Sequence, residues 1–107
     1  MTSLPTVAIE LQRCAEAVAI GNDGLARVCA RRAVGLAAIA AEVVPAQANA
    51  MTVLRHVAED TTYPSNVRLL ASSLLNGERA RLSGTSMIAD PGAAALTIIQ
   101  SFACQSN

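Results

Sequence analysis

Apolar side chains return every three or four residues along most of the chain, and turn-forming residues interrupt them at a few points. This is the pattern of amphipathic helices joined by short connections. The first stripe is Leu4, Val7, Leu11, Cys14, Ala15 and Val18, with Ser3 placed to cap it. Gly21-Asn22-Asp23-Gly24 follows, with Gly21 suited to the left-handed C-terminal position and Asp23 to the next N-cap. A turn this short forces the flanking helices to run antiparallel.

The second helix is predicted from about Gly24 to Val44, ended by Pro45. Leu25, Val28, Leu36, Ile39 and Val43 make one apolar stripe, and Ala26, Ala30, Ala33, Ala37, Ala40 and Ala41 form beside it a seam of small side chains that lets a neighbouring backbone come close. Only Arg27, Arg31 and Glu42 keep a clearly polar strip. A helix apolar around most of its circumference is covered on several sides, so it is the central helix of a bundle or part of an oligomer interface.

A third helix, about Ala46 to Asp60, carries Ala50, Leu54, Val57 and Ala58 on one face and Asn49, Thr52, His56, Glu59 and Asp60 on the other. Tyr63-Pro64 breaks the pattern, and Ser65 can cap a fourth helix in which Val67, Leu70, Ala71 and Leu74 cluster. Gly77 ends or kinks it before Leu82, and Ser83 to Ala89 reads as a loop. Asp90-Pro91 then pairs an N-cap with proline at the first helical position, and a fifth helix turns Ala95, Ile98, Ile99 and Phe102 inward. The expected fold is one all-α domain over residues 1–107, an up-and-down antiparallel bundle of about five helices.

Composition supports this. Hydrophobic residues make up 52% of the chain, but about a fifth of it is Ala, with one Phe, one Tyr and no Trp. That is helix-former content rather than strand content. The eight basic residues are all Arg and balance eight acids, so the formal net charge is zero. No global field gathers nucleic acid or an anionic membrane, and only Tyr63 and Phe102 are available to stack on bases. Met1 to Glu10 lacks the basic start and apolar core of a signal peptide, and the uncharged run Ala33 to Ala41 is too short to span a bilayer. The expected location is the cytoplasm, with no membrane or nucleic-acid partner.

The stretch from Leu11 through Arg13, Cys14, Gly21-Asn22-Asp23-Gly24, Cys29, Arg31-Arg32 and Gly35 to Ala37 resembles the opening of HEPN-type domains. These show a helix, a Gly-centred turn and a second helix with Ala at every third or fourth position. The resemblance implies a bundle of four or five helices, frequent dimerisation, and kinship with ribonucleases, nucleotidyltransferase partners and noncatalytic members. The ribonucleases carry an Arg a helical turn or more before a His. Here His56 is the only histidine, its nearest Arg is the adjacent Arg55, and Asn49, Ala50 and Met51 stand where the motif calls for Arg. The resemblance therefore points to a noncatalytic member.

Candidate chemistry is sparse. Cys14, Cys29 and Cys104 make an odd set without a CxxC pair, which argues against a metal site and for buried thiols; no cofactor is expected. Cys14 and Cys29 lie equally far from the Gly21-Asn22 midpoint and should be neighbours in the hairpin. His56 with Glu59 or Asp60 offers acid and base, but that spacing is also an exposed polar helix face. An Arg-lined groove of Arg27, Arg31, Arg32 and Arg55 with His56 is the one binding surface the sequence offers, for a nucleotide or RNA. Arg32 breaks its own stripe at a level opposite Leu11. It snorkels, pairs with an acid such as Glu10, or faces a ligand at the mouth of a pocket. Surplus apolar surface on the second helix, with Ile9 and Ile20, calls for a second copy or another protein partner. The first expectation is thus a noncatalytic homodimer.

Overall fold

The computed structural model describes residues 6–75 and 90–105, the last two of these as backbone alone. Five helices and no strand appear among the described residues: α1 (Val7–Ala19), α2 (Asp23–Ala40), α3 (Ala50–Glu59), α4 (Ser65–Leu75) and α5 (Pro91–Gln105). The expectations about Ser3, Leu4, Gly77, the Ser83 to Ala89 loop and the side chain of Cys104 fall outside the described residues.

Capping fixes most helix starts. The Thr6 hydroxyl accepts from the Ile9 amide at 3.1 Å, so Thr6 opens α1. At the other end Gly21 takes φ +77°, and the amides of Asn22 and Gly21 return to the carbonyls of Ala17 and Val18. This closes α1 with the left-handed turn that only glycine enters without steric cost. The N-cap of α2 is Asn22, whose Oδ1 accepts from Leu25, rather than Asp23 one residue later. Asp23 is left in the first turn, where its charge still complements the helix dipole.

The end of α2 departs further from expectation. The helix stops at Ala40, and Glu42 adopts φ +60° while Val43 and Glu42 donate back to Ala38 and Ile39. Pro45 disfavours helical backbone at Val44, so the chain leaves the helix early and lays Val43 and Val44 against the core. Consequently α3 begins at Ala50 rather than Ala46, with Asn49 as its cap. Asp90 caps α5 as read, its Oδ1 accepting from Ala93 at 3.2 Å.

The core lies around α2, which touches all four other helices. Its buried face is Ala26, Ala30, Ala33 and Ala37 of the alanine seam, together with Ala38, Cys29 and Val34; Ala40 of the seam is exposed and Ala41 half-buried. Leu25 is exposed, and Val28, Leu36 and Ile39 are only half-buried. The seam thus admits neighbouring backbones as its short side chains imply, while the stripe is covered less than expected. Gly35 marks the tightest approach: a Cβ there would lie 3.2 Å from the Ala50 Cα of α3. Larger side chains fill the other end of the core: Leu54, Leu74, Ile98, Phe102 and Tyr63, whose ring meets Phe102 edge to face at 6.3 Å. Among the described residues no helix is long and apolar enough to cross a membrane.

Candidate functional site

On α1 the buried residues are Glu10, Cys14 and Ala17, while Ala15 and Val18 of the expected stripe face out. Glu10 is three residues after Val7 and four before Cys14, so the close approach of α2 at Cys14 carries the carboxylate in with it. Only 2% of Glu10 remains exposed. Its Oε2 lies 3.9 Å from a guanidinium nitrogen of Arg13, which is itself 58% exposed. Its Oε1 is buried without a hydrogen-bond partner. An acceptor left that way costs about 1–3 kcal/mol, and more when charged.

Glu10 lines a cavity of about 320 Å³ bounded by α1, by the Arg32 to Ile39 stretch of α2, and by the start of α3. The cavity has two ends. Glu10, Arg13 and Arg32 make a charged end; Leu36, Ile39, Ala48 and Ala50 make an apolar one, with Gly35 between them packed closely against Ala50. Arg32 is exposed at this rim, level with α1 as the antiparallel pairing requires, and it makes no ion pair with Glu10. Cys29 sits behind the carboxylate. Burial, then the Glu10 charge, pushes its thiol up, and a hydrogen bond to the Glu10 side chain adds to this, against weaker opposing effects of Arg32 and Arg13. Burial also raises Cys14, with Asp90 and Cys29 adding to it. The two thiols are neighbours as the hairpin register implies, free and buried. A thiol held protonated is a poor nucleophile, so they act as packing groups.

The other sequence-selected residues do not join Arg32 in this cavity. Arg31 turns toward α4, and its Nε donates to the Leu74 carbonyl at 3.0 Å, a cation set on the last turn of that helix. Burial, and then Arg27, lowers its pKa. Arg55 is exposed on α3. His56 is exposed beside it, with Nε2 3.6 Å from Asp60 Oδ2 and its ring on the edge of Tyr63. The backbone and hydroxyl of Thr62 both donate to Asp60 and lower its pKa, which keeps it ionised and ill-suited to giving up a proton. The sequence marked Glu10 only as an acid that could pair with Arg32, and did not mark Arg13. The available signal was an acid at helical spacing between Val7 and Cys14, on the face meant for the core.

A second cleft, about 420 Å³, runs between α1 and α5 and is lined by Leu11, Ala15, Val18, Gly92, Ala93 and Leu96, with Asp90 at its edge. Val18 and Leu96 stand on its walls 38% and 45% exposed. Small residues line its floor. Comparison with family models, with curated proteins and with solved structures finds no match to this chain.

Proposed function

We propose that the protein is a noncatalytic, HEPN-like helical bundle of the cytoplasm that acts through association and is itself a homodimer. The observation that carries this reading is the cleft between α1 and α5. Large apolar Val18 and Leu96, 38% and 45% exposed, line it together with the small residues Ala15, Gly92 and Ala93. A twofold contact requires that arrangement, because each copy must present both the knob and the hole. A formal net charge of zero imposes no long-range repulsion between copies. The α2 seam is not available for this purpose from Ala26 to Ala37, where the other helices cover it within the chain.

The hairpin on which the HEPN resemblance rests is formed around Gly21, with α2 at the centre of the bundle, and this supports the family reading. The noncatalytic reading draws on the surroundings of His56, whose acidic partner Asp60, just past the end of the same helix, has its pKa lowered by Thr62. Handling of a nucleotide or RNA by an Arg-lined groove draws support from Arg32 alone, because Arg31 is engaged with α4 and the other groups do not share its cavity. Sedimentation equilibrium at micromolar concentration should report a dimer, and Leu96→Glu should give a monomer that keeps the helical circular-dichroism spectrum and cooperative unfolding of the wild type, with a lower melting temperature once subunit association no longer stabilises it. A wild-type monomer under those conditions overturns the proposal.

A further inference from the structure

We infer that the open face of α2, between α1 and α3, docks an acidic amphipathic helix of another protein. Its apolar side chains lie on Leu25, Val28, Leu36 and Ile39, and its carboxylates on Arg13 and Arg32. The other helices cover the alanine face of α2 and Gly35, and they leave this stripe the least covered: Leu25 is exposed, and Val28, Leu36 and Ile39 are only half-buried. Arg32 is exposed at the middle of the stripe, and Arg13 of α1 lines the same cavity. Helical spacing carries the surface on along α1, because Ile9 and Ile20, both exposed, stand one turn before and two turns after Arg13. The result is a band with apolar side chains at both ends and two guanidiniums in the middle. It shares no residue with the α1–α5 cleft, so it stands apart from the dimer proposed there.

The occupant follows from what this band offers. No strand lies among the described residues, so an extended peptide finds no edge to pair with, whereas a helix satisfies its own backbone. From Leu25 to Ile39 the stripe runs about 21 Å, the length of a short helix. Arg13 meets the buried Glu10 only at 3.9 Å, and Glu16, one turn further along α1, accepts from Gln12 at 3.4 Å. An apolar cover would strip water from both guanidiniums without replacing it, so the covering helix needs acids at mid-length. A second copy does not supply them: among the described residues each helix presents at most one exposed acid, Glu16 on α1, Asp23 on α2 and Glu59 on α3. Charge complementarity therefore selects a different, acidic chain.

The probe is a fluorescently labelled, Ala-rich helical peptide of about 16 residues, with Leu at every third and fourth position and two Glu flanking the middle of that stripe. In anisotropy titrations it should bind the full chain at micromolar concentration, and the same peptide with Lys for both Glu should bind about 10- to 100-fold more weakly. Arg32→Glu, at an exposed position, should reverse the preference between the two peptides and leave the circular-dichroism spectrum unchanged. Leu25→Glu, also exposed and farther from Glu10, should weaken the Glu peptide about tenfold. Leu96→Glu should bind that peptide as the wild type does, so failure of the dimer and failure of this site are read separately. Equal binding of the two peptides, no binding at hundred-micromolar concentration, or binding lost with Leu96→Glu overturns the proposal. So does a dimer that Arg32→Glu dissociates and Leu96→Glu does not, which would make this face the contact between copies.

Discussion

The two ends of the core are built from different material. Where α1 meets α2, the contact is made by Cys14, Ala17, Ala26, Cys29 and Ala30; where α3, α4 and α5 meet, it is made by Leu54, Leu74, Ile98, Phe102 and Tyr63. Small side chains bring backbones together but bury little apolar area each, whereas large ones interdigitate and carry most of the burial energy. The consequence shows around α1. Both clefts border this helix, and Ile9 and Val18 remain on its surface. The end of the molecule with the least to bury is the end with space for something else.

The largest test of that contrast is a pair of truncations. Phe102→Ala should cost about 3–5 kcal/mol in urea denaturation, because it leaves a hole among the large residues. Ala17→Gly, in the small-residue contact, should cost only about 1–2 kcal/mol, the sum of lost helix propensity and one methyl group. Equal costs would mean that the two ends contribute alike.

Next in size is the close approach of α2 to α3. Gly35→Leu should destabilise by about 1–3 kcal/mol, since backbone and Cβ atoms of Ala50 already stand 3.2–3.3 Å from where a Cβ would be. A stability equal to wild type would show that the cavity beside Gly35 absorbs the side chain without moving α3.

A gain is expected where α2 ends. Glu42 holds φ +60°, a conformation that costs residues with a Cβ about 1–2 kcal/mol. Glu42→Gly should therefore raise stability by about 1 kcal/mol after the extra flexibility of the unfolded chain is counted. A fall in the denaturation midpoint would place the strain elsewhere.

The smallest effect is a dependence on alkaline pH that involves both ends. Burial raises the thiols of Cys14 and Cys29 in the small-residue contact, and burial with the Asp60 charge raises the Tyr63 hydroxyl in the other. Each group keeps its proton longer in the folded state than in the unfolded one. Their contribution is thus fully present below the unfolded thiol value of about 8.5 and is lost as pH climbs above it. Urea midpoints should be level from neutral pH to about 8 and fall beyond it, with part of the fall removed by Cys29→Ala. Midpoints that rise with alkaline pH would reverse the sign of the argument.

What the sequence determined by itself was local. Gly21 specified the left-handed turn, Asp90-Pro91 specified the start of α5, and the Gly21-Asn22 midpoint set Cys14 level with Cys29 and Arg32 level with α1. Such features depend on a few neighbouring residues, whose backbone geometry is the same in any fold. Tertiary structure decided which way the helices turned. The hydrophobic stripe assigned Ala15 and Val18 of α1 and Leu25 of α2 to the core; the structure turns them outward, buries Glu10, and packs α2 through most of the alanine seam that the sequence offered to a neighbouring backbone. Apolar transfer energy is nearly indifferent to direction, so on helices apolar around much of their circumference it does not choose a face. Close packing chooses it, favouring the side small enough for another backbone to approach, and on α1 that side carried a carboxylate in with it.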